Sequence, residues 1–403
     1  MRDLQELERR HDYIALIRAL KQRVQENQRV LTDPYVKEWC GRRWRNLFIS
    51  EAVTDRAALK AARRGLFPVW RDKRPPRQRI AERFLKGGQG VPREWELDLP
   101  EAQIGELKNT TFVFCPGLLT GLLPVRAFKS AFPAIEEKYG VRIIRADLHP
   151  MRGCDANAET LLRTIERGVG RDAGGTSIAP EDANPPGDVC LICYSKGLPD
   201  ALTLLAEHPE LRHRVRCVFS WAGAAGGSYA ADETYKKIEA LGLATTLDAM
   251  ARLPRAMFRG STRKALAGLV DSDINGAIRD LTTARQAAFF KEHGRTLDGL
   301  GIPFFQLTGA TSVWKVPLFQ ILDFLKLRKY DRNNDMQLTQ EQAKIPLPMA
   351  TDLAILSGHH WDLSYGSFPL RMRILSPNLS HPFPKEAAAT AMIKFAAELG
   401  VVD

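Results

Sequence analysis

Ser195 sits in the segment Cys193-Tyr194-Ser195-Lys196-Gly197, where an apolar run over 188–193 stops and a helical pattern over 198–207 begins. A serine at a sharp strand-to-helix turn, with small residues two places on either side, is the arrangement of a nucleophile elbow. The requirement is steric. The serine backbone is strained, and a bulky side chain two residues away would clash with the turn. The same turn delivers the hydroxyl to the N-terminus of a helix, where free N–H groups favour developing negative charge. A serine used this way needs a base to take its proton, an acid to orient the base, and donors for the oxyanion.

The chain supplies candidates for each. His359 and His360, two of its eight histidines, directly follow the apolar run 350–357. Upstream, the polar turn Tyr330-Asp331-Arg-Asn-Asn334-Asp335-Met-Gln-Leu338 carries two aspartates. Lys196 invites a Ser–Lys reading, but adjacent residues at a helix start point in different directions. Its amine is therefore expected to be exposed or paired with Asp200. Cys190 and Cys193 match C-x-x-C, yet residues three apart in a strand face opposite ways, which argues against a metal or redox site.

The elements that must position these groups alternate. Strands are expected over 110–115, 141–146, 188–193, 214–221, 302–308 and 350–357. Helices are expected over 125–139, 156–168, 198–207, 318–327 and 384–399. Alternation of this kind implies an α/β fold, a mostly parallel, doubly wound sheet with helices on both faces. Active sites of such sheets form at the carboxyl ends of the strands. Residues 230–299 break the pattern with a helical block that includes Leu253, Met257 and Phe258, expected to form a cap over that edge. The domain reading is a helical, basic N-terminal extension over 1–100 and the α/β body over 101–403.

Composition sets the limits. The 403 residues are 44% hydrophobic and 26% charged, ordinary for a soluble globular protein. No run approaches the roughly 20 apolar residues of a membrane span. The N-terminal residues offer no apolar signal core, so a cytoplasmic location is expected. Residues 1–100 hold 23 Lys and Arg against 14 Asp and Glu, most of the net charge of +11. Within 56–93, Phe67, Trp70 and Phe84 interleave with twelve basic residues. This basic arm could meet anionic lipid or an acidic partner; the competing reading is a solvated helical face whose aromatics dock on the body. No nucleic-acid motif accompanies the charge, so no nucleic-acid partner is expected. Gly87-Gly-Gln-Gly90 reads as a linker. Oligomeric state is open.

With these residues in view, region 109–400 resembles an α/β-hydrolase of the lipase/esterase type. The resemblance rests on the elbow Tyr194-Ser195-Lys196-Gly197, on Pro116-Gly117-Leu118 after an early strand, on Asn334-Asp335-Met336, and on Gly358-His359-His360-Trp361-Asp362-Leu363. It implies Ser195 as nucleophile, His360 in preference to His359 as base, and Asp335 in preference to Asp331 as the acid. The backbone N–H groups of Leu118 and Lys196 are the implied oxyanion hole. Cys193 and Met336 depart from the family's usual glycines.

The function expected is that of a serine hydrolase cleaving carboxylic esters through an acyl-enzyme, acting on an apolar acyl ester or lipid and calling for no cofactor. Two rivals share the sequence evidence: a thioesterase or intracellular polyester depolymerase, and a non-catalytic binding protein on a hydrolase scaffold.

Overall fold

The apolar runs become the centre of one sheet. A computed structural model describes residues 1–63, 72–86, 94–102, 104, 107, 109–118, 120, 123–241 and 273–402. The linker reading at Gly87 to Gly90, the basic-arm residues Phe67 and Trp70, and the cap residues Leu253, Met257 and Phe258 lie outside the described residues.

The strands are β1 (Leu85–Lys86), β2 (Thr110–Cys115), β3 (Arg142–Arg145), β4 (Asp188–Tyr194), β5 (Val215–Trp221), β6 (Phe304–Ala310) and β7 (Ala350–Ser357). Their order across the seven-stranded sheet is β1-β7-β6-β5-β4-β2-β3. Every pairing is parallel except the antiparallel edge, where Leu85 lies opposite Leu356. β1 has no counterpart in the sequence expectations: two residues are too few to show a period.

The helices are α1 (Arg2–Arg9), α2 (Tyr13–Glu26), α3 (Pro34–Ala52), α4 (Arg56–Ala61), α5 (Pro76–Phe84), α6 (Ala131–Tyr139), α7 (Cys154–Arg167) and α8 (Gly197–Glu207). After them come α9 (Tyr229–Leu241), α10 (Ile274–Arg279), α11 (Thr283–Gly299), α12 (Ile321–Leu327), α13 (Leu370–Leu375) and α14 (Lys385–Leu399).

β4 shows why its run lacks polar alternation. Cys190, Ile192 and Tyr194 join a core that includes Phe48 and Phe395, from α3 and α14. Val189, Leu191 and Cys193 join a second core with Leu161 of α7, Leu204 of α8 and Phe289 of α11. Helices cover both faces, so both sets of strand residues must be apolar. The opposed directions of Cys190 and Cys193 follow from the same pleat, and all six cysteines are buried free thiols.

The N-terminal helices are built into the first of these cores. α3 packs on α14 and β7. Asp33 caps it by accepting from the N–H groups of Tyr35 and Val36. Several of the basic residues here serve internal pairs: Arg43 grips Glu398 at 2.7 and 2.5 Å, and Arg45 holds Glu94 at 2.6 Å. Phe84 is buried edge-on against Phe383, 5.9 Å between centroids.

The block expected as a cap divides. α10 and α9 share a small apolar cluster with Leu118, above the carboxyl edge of the sheet. α11 instead lies along α8 and sends Phe289 and Leu297 into the sheet-face core, so it is the crossover helix that returns the chain to β6. Among the described residues no helix is long and apolar enough to cross a membrane.

Candidate active site

Ser195 takes a left-handed backbone conformation, φ 54°. For a residue with a Cβ this costs on the order of 1–3 kcal/mol and must be held by its surroundings. Three backbone bonds hold it: Ser195 N–H donates to Trp221 O at 3.3 Å, and the Leu198 and Ala224 N–H groups donate to Ser195 O at 3.1 Å each. Gly197 is demanded by close approach, since a Cβ there would stand 2.2 Å from the Cys115 carbonyl oxygen. Gly117 is similar, its Cβ position lying 2.7 Å from the Ser195 Cβ. Cys193 lies beside Cys115 in the register of β2 and β4. Burial pushes its thiol well up, so it packs as a small hydrophobe with no thiolate character.

His360 and Asp335 meet. His360 Nδ1 is 2.7 Å from Asp335 Oδ2. With the carboxylate as acceptor the hydrogen of this contact lies on Nδ1, the tautomer that, in a neutral imidazole, leaves the lone pair on Nε2. That Nε2 is buried and finds no hydrogen-bond partner. The pair is buttressed on both sides. Asp335 Oδ1 accepts from the N–H groups of Gln337 (2.9 Å) and Leu338 (2.7 Å), and the His360 N–H donates to Asp335 O at 2.8 Å. The turn requires φ 87° at Met336, where the family pattern has glycine. Met336 meets it while burying its side chain in the core.

The neighbouring candidates do other things. Asp331 accepts from the Asn333 and Gln340 N–H groups at 2.8 and 2.9 Å, which closes the loop. His359 turns away: Asp362 N–H donates to its Nδ1 at 3.3 Å, and its Nε2 lies 3.3 Å from Asn378 O. Its ring meets His381 edge-on at 5.0 Å. Burial holds both of these imidazoles below their ordinary value.

Lys196, expected either exposed or paired, is 1% exposed and paired, with Nζ 2.5 Å from Asp200 Oδ1. Burial opposes its charge, but the Asp200 carboxylate outweighs it and holds the ammonium above its usual range. Asp200 Oδ2 accepts from Asn157 Nδ2 at 3.0 Å. The amine thus belongs to a buried cluster beneath the elbow, while the backbone N–H stands at the first turn of α8.

Ser195 and His360 line one cavity of about 250 Å³, together with Leu118, Tyr194, Trp361 and Tyr365. Its outer wall comes from α9, α10 and α12, through Ala231, Ile278 and Asp323. Asp323 stands on the solvent-exposed side of this wall, and partial desolvation raises its carboxyl. Trp221 and Tyr229 do not line the cavity. Trp221 is fully buried with Nε1 donating to Leu363 O at 3.2 Å, and Tyr229 stacks on Tyr330 at 4.2 Å. Tyr194 is the supporting residue that sequence reasoning missed: its hydroxyl donates to His360 O at 3.1 Å and its ring stacks on the imidazole at 5.0 Å. Adjacency to Ser195 was the only signal available. Among the described residues no three His, Cys, Asp or Glu side chains converge as a metal site.

The parallel sheet, its single antiparallel edge and the serine on the sharp turn after a central strand define the class: this is the α/β-hydrolase fold. Among solved structures the chain is similar to the metagenomic carboxyl esterase MGS0156, at 19% identity over 88% of this chain and 90% of that one, TM-score 0.61. It also matches the mature Bacillus licheniformis lipase BlEst2, at 19% identity over 65% of this chain and 89% of that one, TM-score 0.42. No family model matches the sequence, and no curated protein sequence does either.

Proposed function

We propose that the protein is a serine hydrolase of carboxylic esters. The observation that carries this reading is the buried Asp335–His360 pair, whose unpartnered Nε2 shares a cavity wall with Ser195. An imidazole wired at Nδ1 to a carboxylate and open at Nε2 is a general base waiting for a proton.

In this mechanism the Ser195 hydroxyl attacks the ester carbonyl as its proton passes to His360 Nε2. Asp335 holds the imidazole in the required tautomer and stabilises the cation. The backbone N–H groups of Lys196 and Leu118 receive the oxyanion, each donor worth about 3 kcal/mol. The alcohol leaves with the proton from His360, and water, activated by the same nitrogen, releases the acid from Ser195. The apolar lining from Leu118, Ile278, Leu281 and Trp361 supports an apolar acyl group as substrate.

The test is covalent labelling by a fluorophosphonate probe, read by mass spectrometry. The wild type is expected to carry one adduct on Ser195, and Ser195→Ala none. A folded wild type that takes no adduct and hydrolyses no nitrophenyl ester would refute the reading.

A further inference from the structure

Eight of the nine large apolar side chains that stand exposed among the described residues fall between Trp314 and Leu375. They occupy two short stretches that touch. In the first, Leu318, Leu322 and Leu325 recur at four- and three-residue spacing, which puts them on one face of the turn leading into α12 and of α12 itself. In the second, Leu370 and Ile374 form the outer stripe of α13, with Leu375 next to them. The stretches are tied together. Leu318 N–H donates to the Ser376 hydroxyl at 3.1 Å, and Asn378 Nδ2 donates to the Trp314 and Val316 carbonyls at 3.1 and 2.8 Å. The result is a single apolar ridge. Its side chains stand proud, with Trp314 86%, Leu322 73% and Ile374 72% exposed.

Charge accompanies the ridge. Residues 312–332 and 367–376 contain seven Lys and Arg against two Asp. Of the two aspartates, Asp331 is engaged in its own loop and Asp323 lines the cavity. Arg328 and Lys329, directly after α12, are exposed cations three and four residues on from Leu325. Lys326 is paired with Glu233 of α9.

We propose that this ridge docks the protein on an anionic lipid bilayer, with the apolar side chains entering the headgroup boundary and the flanking cations meeting lipid phosphates. Protruding Leu and Ile with a Trp among Lys and Arg match the interfacial zone of a membrane, which accepts such side chains without a shaped counterpart. A protein partner would instead have to supply a complementary pocket for each protruding side chain. Gln320 and Asp323, from the same stretch as Leu322, line the cavity, so docking sets the cavity mouth at the membrane surface. That last consequence rests on the ester-hydrolase reading; the docking itself does not.

Co-sedimentation with vesicles tests it. Wild type and Ser195→Ala are expected to bind vesicles of phosphatidylglycerol and phosphatidylcholine, and to bind pure phosphatidylcholine at least tenfold more weakly. Leu322→Gln/Ile374→Gln should lower the partition coefficient at least tenfold while hydrolysing a soluble nitrophenyl ester at the wild-type rate. Arg328→Gln/Lys329→Gln should weaken binding and flatten its dependence on salt. The proposal is overturned if the wild type does not bind anionic vesicles, or if the apolar double variant binds as well as wild type. It is overturned equally if sedimentation shows a stable dimer that Leu322→Gln/Ile374→Gln dissociates, since the ridge would then belong to a second copy. Retained vesicle binding by a wild type that hydrolyses no ester would sink the enzymatic reading alone.

Discussion

The cavity has two walls built on opposite terms. The inner wall is built from segments at the carboxyl ends of the strands, and its Tyr194, Asp335 and His360 are about 1% exposed. Each is tied by hydrogen bonds whose partners are mainly backbone groups. On the outer side, α12 lines the cavity and α13 is tied to the turn that leads into it; they anchor Phe324 and Met372 inward and leave Leu322, Ile374 and the nearby Trp314 in solvent. In the proposed mechanism such fixing of the inner groups is needed, because a proton transfer tolerates little displacement. Groups that only meet something need an outward stripe on a folded support.

The widest separation between the walls lies in activity. Asp335→Asn should lower kcat/KM for a nitrophenyl ester roughly 10³–10⁴-fold with a nearly unchanged melting temperature, because the amide reverses the tautomer that His360 needs. Asp331→Asn, a few residues away, should keep activity within about tenfold while loosening its loop. Equal losses in the two variants would break the assignment of Asp335. Next in size is Lys196→Met, which strands a buried carboxylate and should cost about 3–5 kcal/mol in urea unfolding. Lys196→Met/Asp200→Asn removes both charges and should recover a large part of that loss. A double variant no better than the single would show that the pair does not act as a unit.

A smaller effect distinguishes the two adjacent histidines. Burial keeps His359 and His381 below the ordinary imidazole range, with Lys385 facing His381 adding to the effect and the Asp362 carboxylate opposing it at His359. The unfolded chain therefore takes up protons first as pH falls below about 6.5. The stability they contribute is full above that pH and declines as it drops, by up to about 1.4 kcal/mol per unit for each. His381→Asn, which tolerates the left-handed φ of 48° there, should flatten the fall of unfolding free energy between pH 6.5 and 5. An unchanged slope would contradict the burial argument. Ser195→Gly should then raise stability by about 1 kcal/mol as it abolishes activity, since glycine takes φ 54° without strain.

Much of the inner wall was legible in the sequence because its signals are local. An apolar run, a small-residue turn and a helical pattern suffice to place Ser195, and strands buried on both faces announce themselves as unbroken apolar stretches. Which histidine and which aspartate meet was not local. Asp331 and Asp335 are both turn aspartates, and they part only when the fold brings His360 Nδ1 to within 2.7 Å of Asp335. Tyr194 was invisible for the same reason, since its partner carbonyl is 166 residues away in the chain. The cap reading went too far at α11 because an amphipathic crossover helix and an amphipathic lid helix have the same period. Only packing on α8 tells them apart. The ridge was missed because Leu322, Leu325 and Ile374 in a sequence look like core.

That resemblance to core gives the smallest and most discriminating expectation. If the ridge is free surface, Leu322→Gln and Ile374→Gln should each shift unfolding free energy by no more than about 0.5 kcal/mol, as exposed substitutions do. Phe324→Ala and Met372→Ala, one side chain inward on the same two helices, should cost several times more, in the range of about 2–5 kcal/mol for emptying a packed site. The contrast is internal to each helix, so it does not depend on how stable the whole protein is. A loss of more than 1 kcal/mol at Leu322 or Ile374 would mean that another part of the chain lies over the ridge in solution. The outer wall would then be held by burial as the inner one is, and the division between a wall that positions and a rim that docks would fall.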